Sequence, residues 1–252
     1  MKLKSLVLTF AAVLALGNVA MAQDSTLKIG IAQETSSLYP NWLVSTPNQQ
    51  IATHIFEPLV RMDVNNIPQP ALAESWQAIN DTTWEFKLRQ GVTFHDGSPF
   101  TADNVIATFD HAKTVEGTGS TSGAYIRDHA YEKVDDYTVR ITTKAPRPLF
   151  PAEMSVLYIY RAAASPDDFN SGKAAIGTGP YKLAEWTQGS HLILTRNDAY
   201  WGEKPEWQSV EFRPITSDPT RIAALLNGDV DVIDRVATAD VNRFKETDGV
   251  TV

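Results

Sequence analysis

The stretch Ile176-Gly177-Thr178-Gly179-Pro180-Tyr181-Lys182-Leu183, continuing through Glu185-Trp186, Leu192-Ile193-Leu194 and Arg196-Asn197 to Tyr200-Trp201-Gly202, sets the architecture. Beyond its glycines, Tyr181 to Trp186 and His191 to Arg196 read as strands, and Gly189 marks the turn between them. A third strand, Val210 to Ile215, follows the segment around Pro205. The glycines do not form a dinucleotide loop, because Lys182 occupies the place of the third glycine. This part of the chain is therefore a strand hairpin with a further strand beside it.

Working outward, Leu27 to Ala32 predicts a strand with Leu27, Ile29 and Ile31 on one face. A loop from Glu34 to Val44 precedes a helix that starts at Ser45 or Thr46. Pro47 fits its first position, and Ile51, Ile55 and Leu59 recur at helical spacing. Trp84 to Arg89 alternates as a half-buried strand, Phe94-His95-Asp96-Gly97 makes a turn, and Thr101 caps a helix reaching about Lys113. The polar Gly/Ser/Thr run from Val115 to Gly123 reads as a mobile, linker-like insertion. Tyr137 to Ile141 is another strand, broken off by Pro146 and Pro148. Asp218-Pro219 supplies an N-cap and first helical position for a helix through Leu226, ended by Asn227-Gly228, and Gly249 to Val252 reads as the start of a strand. Strands alternating with helices, plus hairpin-like pairs, predict an α/β fold with antiparallel character and no internal repeat.

Lys2 and Lys4, the apolar run Leu6 to Leu16 and the small-x-small site Ala20-Met21-Ala22 predict a secretory signal peptide over residues 1–22, with cleavage before Gln23. No later segment is apolar enough to span a membrane. The chain contains no cysteine, which excludes a disulfide framework and a lipidated cysteine at the cleavage point. The formal charge of −8 becomes more acidic once Lys2 and Lys4 leave with the leader, and no basic run with interleaved aromatics argues for nucleic acid. His54, His95, His111, His129 and His191 are scattered without metal-ligand spacing, so no metal or other cofactor is expected. Gly119-Ser120-Thr121-Ser122-Gly123 has Thr where a nucleophile elbow needs Ser. No catalytic constellation emerges, and an enzyme is not expected. Asp229, Asp231 and Asp234 form an acidic cluster that reads as solvated charges.

Gly91-Val92-Thr93-Phe94-His95-Asp96-Gly97, the 176–202 stretch and Gly228-Asp229-Val230-Asp231 occur in that order between about Leu27 and Val236. This series resembles the extracellular solute-binding proteins of peptide and nickel ABC importers, family 5, and in particular the N-terminal half of a dipeptide- or oligopeptide-binding protein. The resemblance implies type II periplasmic-binding-protein-like α/β lobes with mixed sheets. It assigns residues 23–45 and 176–252 to a first, incomplete lobe and 46–175 to a smaller lobe, with a second large lobe missing. Gly177 and Gly179 would allow tight backbone at the return crossing, while Trp186, Tyr200 and Trp201 pack lobes and His95 is structural.

The function implied is a monomeric periplasmic carrier that captures peptides, or another small solute, and delivers them to an inner-membrane ABC permease. The alternatives are the same scaffold carrying nickel chelate, haem, sugar or opine, and a non-functional or interaction-only truncated copy. Three places would meet the solute. Val44, Ser45 and Thr46 align with residues whose backbone pairs with peptide in relatives, although Ser45 and Thr46 read equally well as helix caps. Tyr125 stands where relatives present an aromatic, and reads equally as packing at a loop end. Asp234 and Arg235 would hold a solute terminus or, by preference, each other.

Overall fold

The computed structural model describes residues 25–42, 45–115, 122–161 and 163–251. The expected leader, the cleavage site before Gln23, Val44 and most of the Gly/Ser/Thr run lie outside these residues.

Strand β1 (Thr26–Ile31) leads through a loop into helix α1 (Thr46–Ile55), which buries Pro47, Asn48, Ile51, Ala52 and Ile55. Ser45 is its extended N-cap residue, but its side chain makes no capping bond. The helix ends at Ile55, a turn short of Leu59, which was expected to close its apolar stripe. Pro58 explains the stop, because the residue before a proline is pushed out of helical geometry. Glu57 and Pro58 instead form the short strand β2 (Glu57–Pro58).

Next come β3 (Val60–Met62), β4 (Pro68–Pro70), β5 (Ala73–Asn80), β6 (Thr83–Leu88), α2 (Ala102–Thr114), β7 (Ala130–Asp135) and β8 (Thr138–Thr142). Strands β5-β6-β8-β7 form an antiparallel sheet in which Trp84 faces Ile141 and Phe86 faces Val139. Phe86, Leu88, Val139 and Ile141 turn inward onto Val105, Phe109 and Ala112 of α2. At the start of α2, the Thr101 amide donates to Asn104 Oδ1 at 2.9 Å. The end of the polar run is not loose: Ser122–Tyr125 forms a tight turn, and a Cβ on Gly123 would lie 2.0 Å from the Ala112 carbonyl oxygen.

The chain continues through α3 (Phe150–Glu153), β9 (Tyr158–Ile159), α4 (Pro166–Asn170), β10 (Tyr181–Thr187), β11 (His191–Arg196), β12 (Ser209–Pro214), α5 (Asp218–Leu226), β13 (Val232–Ile233) and α6 (Thr238–Lys245). The second sheet has the order β10-β11-β12-β1-β13. Its first three strands are antiparallel, whereas β1 runs parallel to both β12 and β13. Leu192, Leu194, Val210 and Phe212 of this sheet pack against Ile51 and Ile55 of α1.

Apolar packing thus divides into two cores, and the changeover falls near Phe56 going out and Tyr160 coming back, whereas the limits expected from sequence lie at 46 and 175. The short β2–β9 pair lies at that changeover. Two end signals also shift. Ser217, not Asp218, is the N-cap of α5, and Gly249 to Thr251 form a turn and an extended end instead of a strand.

Candidate functional site

The loop that leaves the carboxyl end of β1 is fastened along its length. Ala32 N–H donates to Asp234 Oδ1 at 2.6 Å, Ser36 N–H to Asn48 Oδ1 at 2.9 Å, and Leu38 N–H to the Phe169 carbonyl at 3.2 Å. The Asn41 side chain donates to the Tyr158 carbonyl and accepts from the Tyr158 amide, at 3.1 and 2.8 Å. Ser122 N–H donates to the Asn41 carbonyl at 3.0 Å, and Gln49 Nε2 to the Trp42 carbonyl at 3.3 Å. These bonds bring the start of α1 and the Ser122–Tyr125 turn against one loop. In open α/β sheets the crevice beyond the carboxyl ends of parallel strands is where ligands bind, and this loop borders it.

Of the expected contact residues, Ser45 is half-buried and Thr46 is exposed at the helix start. Tyr125 is half-buried and packs on the core of the four-stranded sheet. Asp234 and Arg235 follow β13, on the same side as Ala32. They do not hold each other. Asp234 accepts from Ala32, while the Arg235 carbonyl accepts from Arg221 Nη2 at 3.0 Å and its own backbone takes φ 51°.

Arg221, which the sequence reading passed over, organises this corner at 1% exposure. Its guanidinium donates to the carbonyls of Ile215 (2.7 Å), Asp234 (3.1 Å) and Arg235 (3.0 Å) and to Asp218 Oδ1 (2.7 Å). The i,i+3 spacing of Asp218 and Arg221 on a helix was the available signal. Asp229 and Asp231 are exposed, as solvated charges are, but two of the three aspartates also serve the backbone. Asp231 Oδ2 accepts the Lys28 amide at 2.8 Å and Asp234 the Ala32 amide, so both side chains satisfy backbone donors of β1 and its exit; Asp229 alone stays exposed without such a role.

A second node joins the two cores. The Glu57 carboxylate, 8% exposed, accepts from Tyr200 Oη (2.9 Å), Thr178 Oγ1 (2.8 Å) and Trp201 Nε1 (2.8 Å). Burial raises its pKa, and these three hydrogen bonds work against that rise. Tyr200 and Trp201 therefore pack and donate at the junction, and Arg89 stacks 4.1 Å over the Trp201 ring.

Gly177 and Gly179 lie against the end of α1, where added Cβ atoms would sit 2.0 Å from the Ile55 carbonyl oxygen and 2.5 Å from that of His54. From the other side, His95 N–H donates to the Gly177 carbonyl at 2.9 Å, its Nδ1 accepts the Gly177 amide at 3.4 Å, and its Nε2 meets the Gly179 carbonyl at 3.0 Å. That pattern requires a neutral ring protonated on Nε2. Burial lowers its pKa to about 4. His95 is thus a strut between segments.

The model for bacterial extracellular solute-binding proteins, family 5 middle region, matches residues 68–252. The chain belongs to this family. It is 26% identical to the periplasmic oligopeptide-binding protein OppA of Salmonella typhimurium over 85% of this chain and 44% of that protein. It is 33% identical to the nickel-binding periplasmic protein of Escherichia coli over 75% of this chain and 37% of that one. The solved structure of AgaA from A. tumefacien R10 with agropinic acid superposes with a TM-score of 0.79 at 28% identity, covering 88% of this chain and 46% of the other. This family-5 chain therefore spans less than half the length of these relatives, matching their N-terminal half, and shares their mixed α/β fold. Among the described residues no helix is long and apolar enough to cross a membrane.

Proposed function

We propose that this family-5 chain forms part of the periplasmic solute-binding component of an ABC importer and captures peptides. The two cores act as lobes, one around Ile51, Ile55, Leu194 and Phe212 and the other around Phe86, Phe109, Val139 and Ile141, and a solute is trapped when a further wall closes on the first of them. The observation that supports this reading is the anchored loop after β1, which is tied to Asp234, to the start of α1 and to the Ser122–Tyr125 turn, in a chain that matches OppA over 85% of its length. Extended peptides suit such a rim because main-chain hydrogen bonds supply affinity with little demand on side chains. A ligand held from one side makes only part of its contacts, so the 25–251 region binds alone with Kd on the order of millimolar or weaker.

The test is amide NMR on the 23–252 polypeptide titrated separately with a short-peptide mixture, glutathione, nickel–histidine and agropinic acid. The reading expects peptides to shift amides of residues 32–46, Tyr125 and 231–235. Shifts at those residues with an opine or nickel–histidine and none with peptides overturn the peptide assignment. Shifts confined elsewhere overturn the site.

A further inference from the structure

Among the described residues seven buried side-chain polar atoms have no protein hydrogen-bond partner, and three of them share one corner: Tyr39 Oη, Trp42 Nε1 and Asn170 Oδ1. Such orphans are rare, because each forfeits the hydrogen bonds it made in water. The three residues come from two segments, the loop after β1 and the last residue of α4, and all three line the same small cavity together with His111, Ala164 and Phe169. Tyr39 is 4% exposed and is surrounded by rings, with Phe169 at 5.0 Å, Trp42 at 6.0 Å and Tyr160 at 6.1 Å between centroids. Burial pushes its hydroxyl up to about 12; the neighbouring Tyr160 and Asn41 side chains counter this only in part, and neither stands in bonding geometry to it. Tyr160 is already engaged, its hydroxyl lying 2.6 Å from His111 Nδ1.

Size and chemistry select the occupant. The cavity leaves about 10 Å³ for a water-sized sphere, which admits one water molecule and no organic solute. Trp42 Nε1 can only donate, Asn170 Oδ1 can only accept, and the Tyr39 hydroxyl can do either. A water both donates and accepts, so one molecule has the chemistry to serve all three, which no protein group of one polarity has. We propose that a single structural water is built into this cavity, accepting from Trp42 Nε1 and donating to Asn170 Oδ1 and Tyr39 Oη. It bridges the loop after β1 to α4, two residues before Val44. The site stands whatever solute the chain carries.

A crystal structure of the protein at about 1.5 Å, with a double-mutant cycle on Tyr39→Phe and Asn170→Ala, tests this. The expected results are a fully occupied water peak within hydrogen-bond distance of all three atoms, and a double variant whose Tm falls by clearly less than the sum of the two single falls, since either change removes the same bridge. An empty cavity, or Trp42 Nε1 bonded directly to Asn170 Oδ1, overturns the proposal. Strictly additive Tm shifts overturn it as well. If a variant fails to fold, the density of the unaltered protein decides alone.

Discussion

Acidification should loosen the strut made by His95. Its imidazole pKa falls from the usual 6.5 to about 4 through burial, and protonating Nδ1 would set a proton against the Gly177 amide that it now accepts. The unfolded chain binds that proton near pH 6.5, while the folded chain resists until about pH 4, so this contribution is complete above pH 7 and shrinks as pH falls between those values. With about 1.36 kcal/mol per pH unit, the loss from this one residue reaches about 2 kcal/mol at pH 5 and about 3 kcal/mol at pH 4. Burial also lowers the pKa values of His54, His111 and His129, so they add to the acid sensitivity of the whole protein. The informative quantity is therefore the stability difference between the wild type and His95→Gln, measured by urea melts at half-unit steps from pH 8 to pH 4.5. The substituted amide side chain can still donate to the Gly179 carbonyl but cannot titrate. The gap between the two proteins should be widest at pH 8 and shrink by about 2 kcal/mol on reaching pH 5. A constant gap across that range would refute the assignment of His95 as a neutral strut.

Gly177→Ala places a Cβ into the Ile55 carbonyl and should cost about 3 kcal/mol or prevent folding, whereas Gly189→Ala, strained only by its φ of +75° with open space around it, should cost about 1–2 kcal/mol; paired thermal melts distinguish them. Glu57→Leu strands the hydroxyls of Thr178 and Tyr200 and the Trp201 indole, so a loss of roughly 3 kcal/mol or more is expected in denaturant melts, and a neutral result would show that the node contributes nothing. Arg221→Met leaves the carbonyls of Ile215, Asp234 and Arg235 without their donor; it should destabilise by about 3–5 kcal/mol and speed amide exchange at residues 231–235, and unchanged exchange there would count against its organising role.

What could be read from the sequence was what depends on local pattern. The alternation in Tyr181 to Trp186, His191 to Arg196 and Trp84 to Arg89 placed strands within a residue of their observed ends, because each has one face on a core. The long apolar spacing Ile51, Ile55, Leu59 misled, since periodicity does not register that Pro58 diverts the chain into the other core. Ser45 and Thr46 could be placed at the helix start from the residue types there. The roles of Asp231, Asp234 and Glu57 could not, because each is defined by partners far along the chain: Asp231 and Lys28 are 203 positions apart, and Glu57 and Trp201 are 144 apart. An aspartate that replaces a strand's hydrogen bonds looks in sequence like any other surface acid.

The placement of β1 carries a consequence for how the molecule is made. It is the first described strand to leave the ribosome, yet both of its neighbours, β12 and β13, come from near the other end of the described chain. Until Ser209 to Ile233 have been synthesised, Leu27, Ile29 and Ile31 have no lasting partner, and closing so long a loop is slow. The four-stranded sheet, whose strands all fall between Ala73 and Thr142, can assemble meanwhile. Assembly thus runs from the middle of the polypeptide outward, with the amino-terminal strand kept waiting as an exposed apolar ribbon that a chaperone, or an aggregation partner, would meet first.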